Sequence, residues 1–312
     1  MIQRLAIDEA AADGEAAAAS ASAATLAAAV ATFEMAQRNR VATGELLRAV
    51  LQGRAAGGLT LAPTLPDADT VLHEIRAGRE AGPVPLLGAL YQRESAMERE
   101  CMREMGRLVT AHPVWPWLER VRGVGPTLAA RLLARLRIER AASPSSFWSF
   151  CGLATVEGVS YRCDECGAEL TRPRVRAAPR RHVAPSGHPC TGALIDAQHP
   201  VRVAMRFPQH GEHRSFDVTA RTLCHLIGTS FLRRGGRYRE TYDAHRLRHE
   251  ALHPSYSRMH HHLSAMRAME KLFLAHLWLV WAESVGRPCR LPFGVARRGR
   301  AGVLIGPQEM IE

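Results

Sequence analysis

The stretch "CDECGAELTRPRVRAAPRRHVAPSGHPC", residues 163–190, holds the side chains with the clearest chemical spacing. Cys163 and Cys166 form a Cys-x-x-Cys pair, and one turn of chain thereby offers two thiolates to a tetrahedral ion such as zinc. Gly167 suits the turn that follows. Cys190 closes the segment, and His182 is the preferred fourth ligand, because the chain before it is long enough to fold back. His188 is the reserve, since a single residue separates it from Cys190. A redox Cys-x-x-Cys needs a helix start after a strand, and the sequence offers no such pattern. Few apolar residues lie in the segment, so it is expected to fold around structural Zn2+. Its arginines, Arg172, Arg174, Arg176, Arg180 and Arg181, then face solvent or a phosphate backbone.

A second site is written as "RVRGVGPTLAARLLARL", residues 120–136. Gly123 and Gly125 permit a tight turn, and Pro126 suits the first position of a helix. Leu128, Leu132, Leu133 and Leu136 recur at helical spacing. The start of such a helix presents unpaired backbone N–H groups to an anion. A helix-hairpin-helix of this kind holds a DNA phosphate without reading bases. The expected DNA contacts are Arg122, Gly123, Gly125, Pro126, Thr127 and Arg131, together with the arginines of the 172–181 loop.

His245, His249 and His253 fall four residues apart on one helical face, followed by His260, His261 and His262. No carboxylate is placed to complete a metal site there, and Arg246 and Arg248 interleave. These histidines read as surface or phosphate-contacting groups. Met266, Met269, Leu272, Phe273, Leu277 and Val280 also recur at helical spacing, and read as core.

These groups must be positioned by a chain of 312 residues, 46% hydrophobic, which is enough to bury a real core. Lys and Arg number 41 against 30 Asp and Glu, giving a net charge of +11, which favours nucleic acid or an anionic surface as partner. Lys271 is the only lysine. Seven cysteines without a secretory signal point to reduced thiols and a cytoplasmic, nucleoid-associated protein. The apolar run Leu272 to Ala282 is too short to span a bilayer.

The fold class is mostly α. Residues 1–60 form an alanine-rich helical arm, partly disordered, and 61–112 a linker and helix. Residues 113–290 form a DNA-binding domain with a zinc-ribbon-like insertion at about 160–195, and 291–312 a tail. Helices are expected at about 86–109, 127–138, 146–151, 216–234, 237–252 and 256–285, with 53–70 read as linker and 155–215 as lacking periodicity. Acidic residues of the first half, such as Asp8, Glu34 and Asp67, are scattered. Metal-dependent nucleases converge their carboxylates on a common site, and no such scaffold is visible.

"VRGVGPTLAARLLARL", "FWSFCGLATVEGVS" and "FDVTARTLCHLIGTSFLRRGGRY" together resemble the C-terminal domain of the insertion-sequence one-ten class of transposases. Gly152-Leu153-Ala154 matches that family's middle element, with Thr155 where the family has proline. Ser160 falls at the spacing of its serine and is followed by Tyr161 instead of glycine. The resemblance implies DNA recombination through a serine-linked intermediate, with Ser160 as catalytic residue, a structured guide RNA as partner and self-association into an oligomer. In the family an acidic N-terminal domain supplies the nuclease. The first half here does not resemble it, so the chain is expected to be a catalytically incomplete derivative or to work with a partner nuclease. A non-enzymatic accessory factor that binds DNA or structured RNA is the alternative.

Overall fold

A computed structural model describes residues 2–53, 68–79, 84–173, 181–205, 215–254, 256–288 and 305–311, with side chains undescribed at 2–21, 172–173 and 197–200. The chain divides into two compact units, Met1–Glu119 with Gly125–Leu136, and Arg120–Val124 with Arg137–Glu312. The protein is mostly helical, as its composition predicts.

The first unit is built from α1 (Ile2–Leu51), α2 (Ala68–Arg76), α3 (Pro85–Thr110), α4 (Trp115–Leu118) and α5 (Pro126–Leu133). Along α1 the seam runs Leu26, Val30, Phe33, Gln37, Arg40, Gly44, Leu47 and Leu51, the alternating three-and-four spacing of a coiled-coil face. It packs antiparallel on α3. Gln37 and Arg40 both bond Glu98, while Gly44 lies against Tyr91, whose Cε2 would stand 3.1 Å from an added Cβ. Glu98 is buried, so this polar layer satisfies a charge that would otherwise be costly inside the seam. Helix α2 falls partly within the stretch read as linker. Its Leu72 and Ile75 join Leu47, Leu51 and Tyr91 in one cluster, so tertiary burial sustains a helix of only nine residues.

The second unit begins with a 3₁₀ turn at Ile138–Arg140 and α6 (Pro144–Phe150). A three-stranded antiparallel sheet follows, in the order β2-β1-β5, from β1 (Thr155–Cys163), β2 (Glu169–Pro173) and β5 (Leu194–Ala204). β3 (His182–Val183) and β4 (Pro189–Cys190) make a separate hairpin. Periodicity did not reveal these strands. β1 is mostly half-exposed, and only Gly158 and Cys163 in it are buried, so it lacks a clean apolar face.

Helices α7 (Val218–Arg234), α8 (Arg237–Leu252) and α9 (Arg258–Ser284) complete the unit close to the spans the sequence predicts. Asp217 caps α7 by accepting a bond from the Ala220 N–H at 2.6 Å. Phe231, Tyr238 and Phe273 stack and abut in the core, with Met266, Met269, Leu277 and Trp278 also buried. Leu272 and Val280 lie at its margin.

Candidate metal centre and glycine-capped helix start

β1 ends at Cys163, and the chain turns at once. The Gly167 N–H donates to the Cys163 carbonyl at 3.2 Å, and Gly167 sits at φ +67°, where only glycine is unstrained. The Cys166 N–H points at the Cys163 sulfur, 3.4 Å away. No helix follows this turn; the chain passes into β2. The arrangement therefore lacks the strand–helix context of a redox pair.

The β3–β4 hairpin brings the remaining candidate ligands. His182 pairs opposite Cys190, so the two side chains arrive together. Cys163, Cys166, His182 and Cys190 place one ligand atom each within 4.8 Å of all the others, and this cluster could hold a metal ion. Cys163 Sγ and Cys190 Sγ are 3.9 Å apart, and Cys166 Sγ and His182 Nε2 are 3.1 Å apart. Bond lengths of about 2.3 Å to sulfur and about 2.0 Å to nitrogen give tetrahedral edges of roughly 3.5–3.8 Å, so small shifts complete the shell. His188 stays out of the cluster, exposed in the hairpin turn, where its carbonyl accepts the Ala184 N–H.

Two further features fit an ion. Gly192 leaves room for the tetrad, since a Cβ there would lie 2.7 Å from Cys163 Sγ. The N–H groups of Cys166 and Glu165 hold the Cys163 thiol below its ordinary range, as hydrogen bonds to a thiolate should. Cys190 receives the Gly192 N–H, which favours its thiolate, but burial and the Cys166 and Cys163 sulfurs outweigh it and push the thiol up to about 11. A divalent cation at the centre reverses that opposition by pairing with every sulfur.

Gly152 and Ala154, in the segment leading into β1, are gripped by cationic side chains from α7 and α9. Arg221 donates to the Gly152 and Met205 carbonyls at 2.5 and 3.0 Å, and Arg267 donates to the Ala154 carbonyl at 2.6 Å. Burial lowers both guanidinium pKa values, that of Arg267 to about 10. Gly152 sits at φ +66°, and a Cβ there would meet Phe216 Cδ2 at 2.6 Å. Sequence reading missed this clamp: Arg221 and Arg267 stand 69 and 113 residues from their acceptors, and no local pattern announces them.

Ser160 lies in the middle of β1, opposite Thr171 of β2, at the shift of register between Val159 and Tyr161 in the β1–β5 ladder. Among the described residues no base is hydrogen-bonded to its hydroxyl.

Gly123, at φ +101°, belongs to the second unit. Its carbonyl accepts the Ser230 hydroxyl at 2.7 Å, and a Cβ would come within 3.1 Å of Phe231. Gly125 caps α5 in the first unit with extended backbone, and nothing lies within 4 Å of where its Cβ would be. With no side-chain cap, α5 leaves the N–H groups of Thr127 and Leu128 facing outward from the helix start. Pro126 is the first helical residue. Arg131 reaches Glu34 at 3.4 Å and lies over the Phe33 ring, beside Arg135, which bonds the same carboxylate at 2.8 Å. Arg122 and Arg181 are exposed. Arg172 lies on β2, and Arg174, Arg176 and Arg180 fall outside the described residues. Among the described residues no helix is long and apolar enough to cross a membrane.

Residues 116–177 match the family described as transposase IS116/IS110/IS902. The matched segment takes in the glycine turn, α5, the Gly152-Leu153 element, Ser160 and the Cys163–Cys166 knuckle, so this part of the chain is transposase-like. No curated protein and no solved structure matches the chain.

Proposed function

We propose that this chain is a DNA-binding protein of a mobile element, acting in transposition or recombination with its own nuclease chemistry incomplete or supplied by a partner. The family match over 116–177 carries this reading. The net charge of +11 supports a polyanionic partner. In this reading α5 meets a backbone phosphate with the Thr127 and Leu128 N–H groups. The open space at Gly125 allows close approach. Arg122, Arg181 and the arginines of the 172–180 stretch add charge without reading sequence.

The ion in the tetrad is read as zinc, held by Cys163, Cys166, His182 and Cys190. Three thiolates and one imidazole make a closed structural set with no position left for substrate. Zinc there fixes the β3–β4 hairpin against the end of β1, and with it the path of the basic loop. It takes no part in strand chemistry.

The placement of Ser160 supports the second reading, a non-enzymatic accessory factor for DNA or structured RNA. A serine nucleophile needs an activating base or metal, and none is bonded to Ser160 among the described residues. Two assays separate the readings. Binding to duplex DNA and to a structured RNA is compared at fixed and rising salt, where phosphate contacts give affinity that falls steeply with ionic strength. A covalent protein–DNA adduct is sought on denaturing gels with wild type and Ser160→Ala. Duplex binding with an adduct lost in Ser160→Ala supports the recombinase. Duplex binding with no adduct supports the accessory factor. Binding to neither polymer overturns both.

A further inference from the structure

The histidines of α8 and α9 form a cluster that neither the metal centre nor the phosphate contacts absorb. His261 is buried at the start of α9, and its Nε2 lies 3.0 Å from the Tyr256 carbonyl. A carbonyl can only accept, so Nε2 carries a proton, and in the neutral form of the ring the lone pair is then on Nδ1. His249 Nδ1 stands 2.8 Å from His261 Nδ1 and, in that form, donates to it. The pair therefore forms a directed relay, from His249 Nδ1–H through His261 to the Tyr256 carbonyl. His249 is left as the tautomer with a free lone pair on Nε2.

This is how proteins prepare an imidazole for a metal. A ligating histidine commonly donates its other ring N–H to a second group, which fixes its tautomer and direction. A second imidazole lies close by. His253 follows four residues later, the spacing that puts two imidazoles on one helical face. Its N–H still bonds the His249 carbonyl at 3.0 Å, although it ends the helix. The two ring centroids are 4.8 Å apart, and the His253 ring stacks on Tyr256 at 4.9 Å and 15°. The other histidines nearby are occupied differently: His245 by Ser264, His262 by the Tyr242 hydroxyl and His260 by Ser257.

We infer that His249 and His253 form a second, exchangeable site for a borderline divalent cation such as Zn2+, Co2+ or Ni2+, oriented by the relay through His261. Imidazole suits these ions, and two protein ligands leave positions for water, so binding is weaker than at the thiolate tetrad. On that turn of α8 Arg246 is neutralised by Glu250 at 2.9 Å, and Arg248, one residue before His249, is exposed to solvent.

The test is a Co2+ titration of the full chain, read by absorbance and calorimetry. The first equivalent enters the tetrad and produces thiolate-to-cobalt charge-transfer absorption. The second should bind without adding to it. His249→Ala and His253→Ala should each weaken the second equivalent at least a hundredfold and leave the first unchanged. His261→Asn should weaken it about tenfold to a hundredfold through loss of the relay. His260→Ala serves as control and should change nothing. A single equivalent per chain overturns the proposal, as does a second equivalent that survives both His249→Ala and His253→Ala, because binding is then adventitious.

Discussion

The sheet and the three C-terminal helices belong to one unit, yet different forces hold them. At the end of β1 the side chains that converge are Cys163, Cys166, His182 and Cys190. Between α7, α8 and α9 they are Phe231, Tyr238, Phe273 and Trp278, nearly all lost to solvent. The helices can pay the entropy of ordering from apolar burial alone. The β3–β4 hairpin has two residues per strand and an exposed Val183, so apolar burial gives it little order. An ion can supply a spanning bond where a core cannot be built.

With zinc in the tetrad, as proposed, the largest effect should come from removing it. Metal-folded modules draw on the order of 10 kcal/mol from their zinc. Chelation, or Cys163→Ser, should therefore disorder the β3–β4 hairpin and the end of β1 while helical circular dichroism changes little. Hydrogen exchange resolved by segment checks this. Equal loss of protection in α7–α9 would erase the distinction drawn here.

The converse perturbation is Phe273→Ala. Deleting a buried phenyl ring costs about 3–5 kcal/mol. Stability to denaturant should fall by that amount, while metal content of the folded protein stays as in wild type.

A third test uses pH. His276 is buried in α9, with Nε2–H directed at the Ile305 carbonyl and Nδ1 accepting from the Tyr238 hydroxyl, each at 2.9 Å. Burial depresses its pKa to about 4, from 6.5 when unfolded. Between those values the unfolded state binds the extra proton. Its contribution is thus complete above pH 6.5 and lost as pH falls towards 4, by up to about 3 kcal/mol. Denaturant titrations of wild type and His276→Gln across that range should differ in slope, with the variant flatter. Followed by tryptophan fluorescence of α9, the loss reports the helical layer and is separable from metal release.

The smallest effect is at the α7 cap. Asp217→Ala should cost about 1 kcal/mol, seen as a modest fall in thermal midpoint with no change in metal content.

What could be read beforehand follows the range of each interaction. The Cys163–Cys166 pair is local, so its chemistry shows in four residues. The loop length that favoured His182 over His188 is likewise a property of the chain, and His182 is the histidine that joins the cysteines. Helices α7–α9 announced themselves through a 3.6-residue period. The sheet did not, because β1 alternates weakly and depends on pairing with Val201 and Val203 far along the chain. The Arg221 and Arg267 clamp and the Glu34 partner of Arg131 are long-range and polar, and leave no periodic trace. Arg131, grouped by sequence with the DNA contacts, lies against Glu34 and Phe33, neighbours in space that no local pattern announces.

The most direct test of the account is native mass spectrometry of the purified chain, with His182→Ala, His188→Ala and Cys163→Ser alongside. The account predicts one tightly held zinc per chain, retained in His188→Ala and lost in His182→Ala and Cys163→Ser. A chain that holds no zinc, or that keeps it in His182→Ala and loses it in His188→Ala, would contradict the tetrad and the description of the sheet built on it.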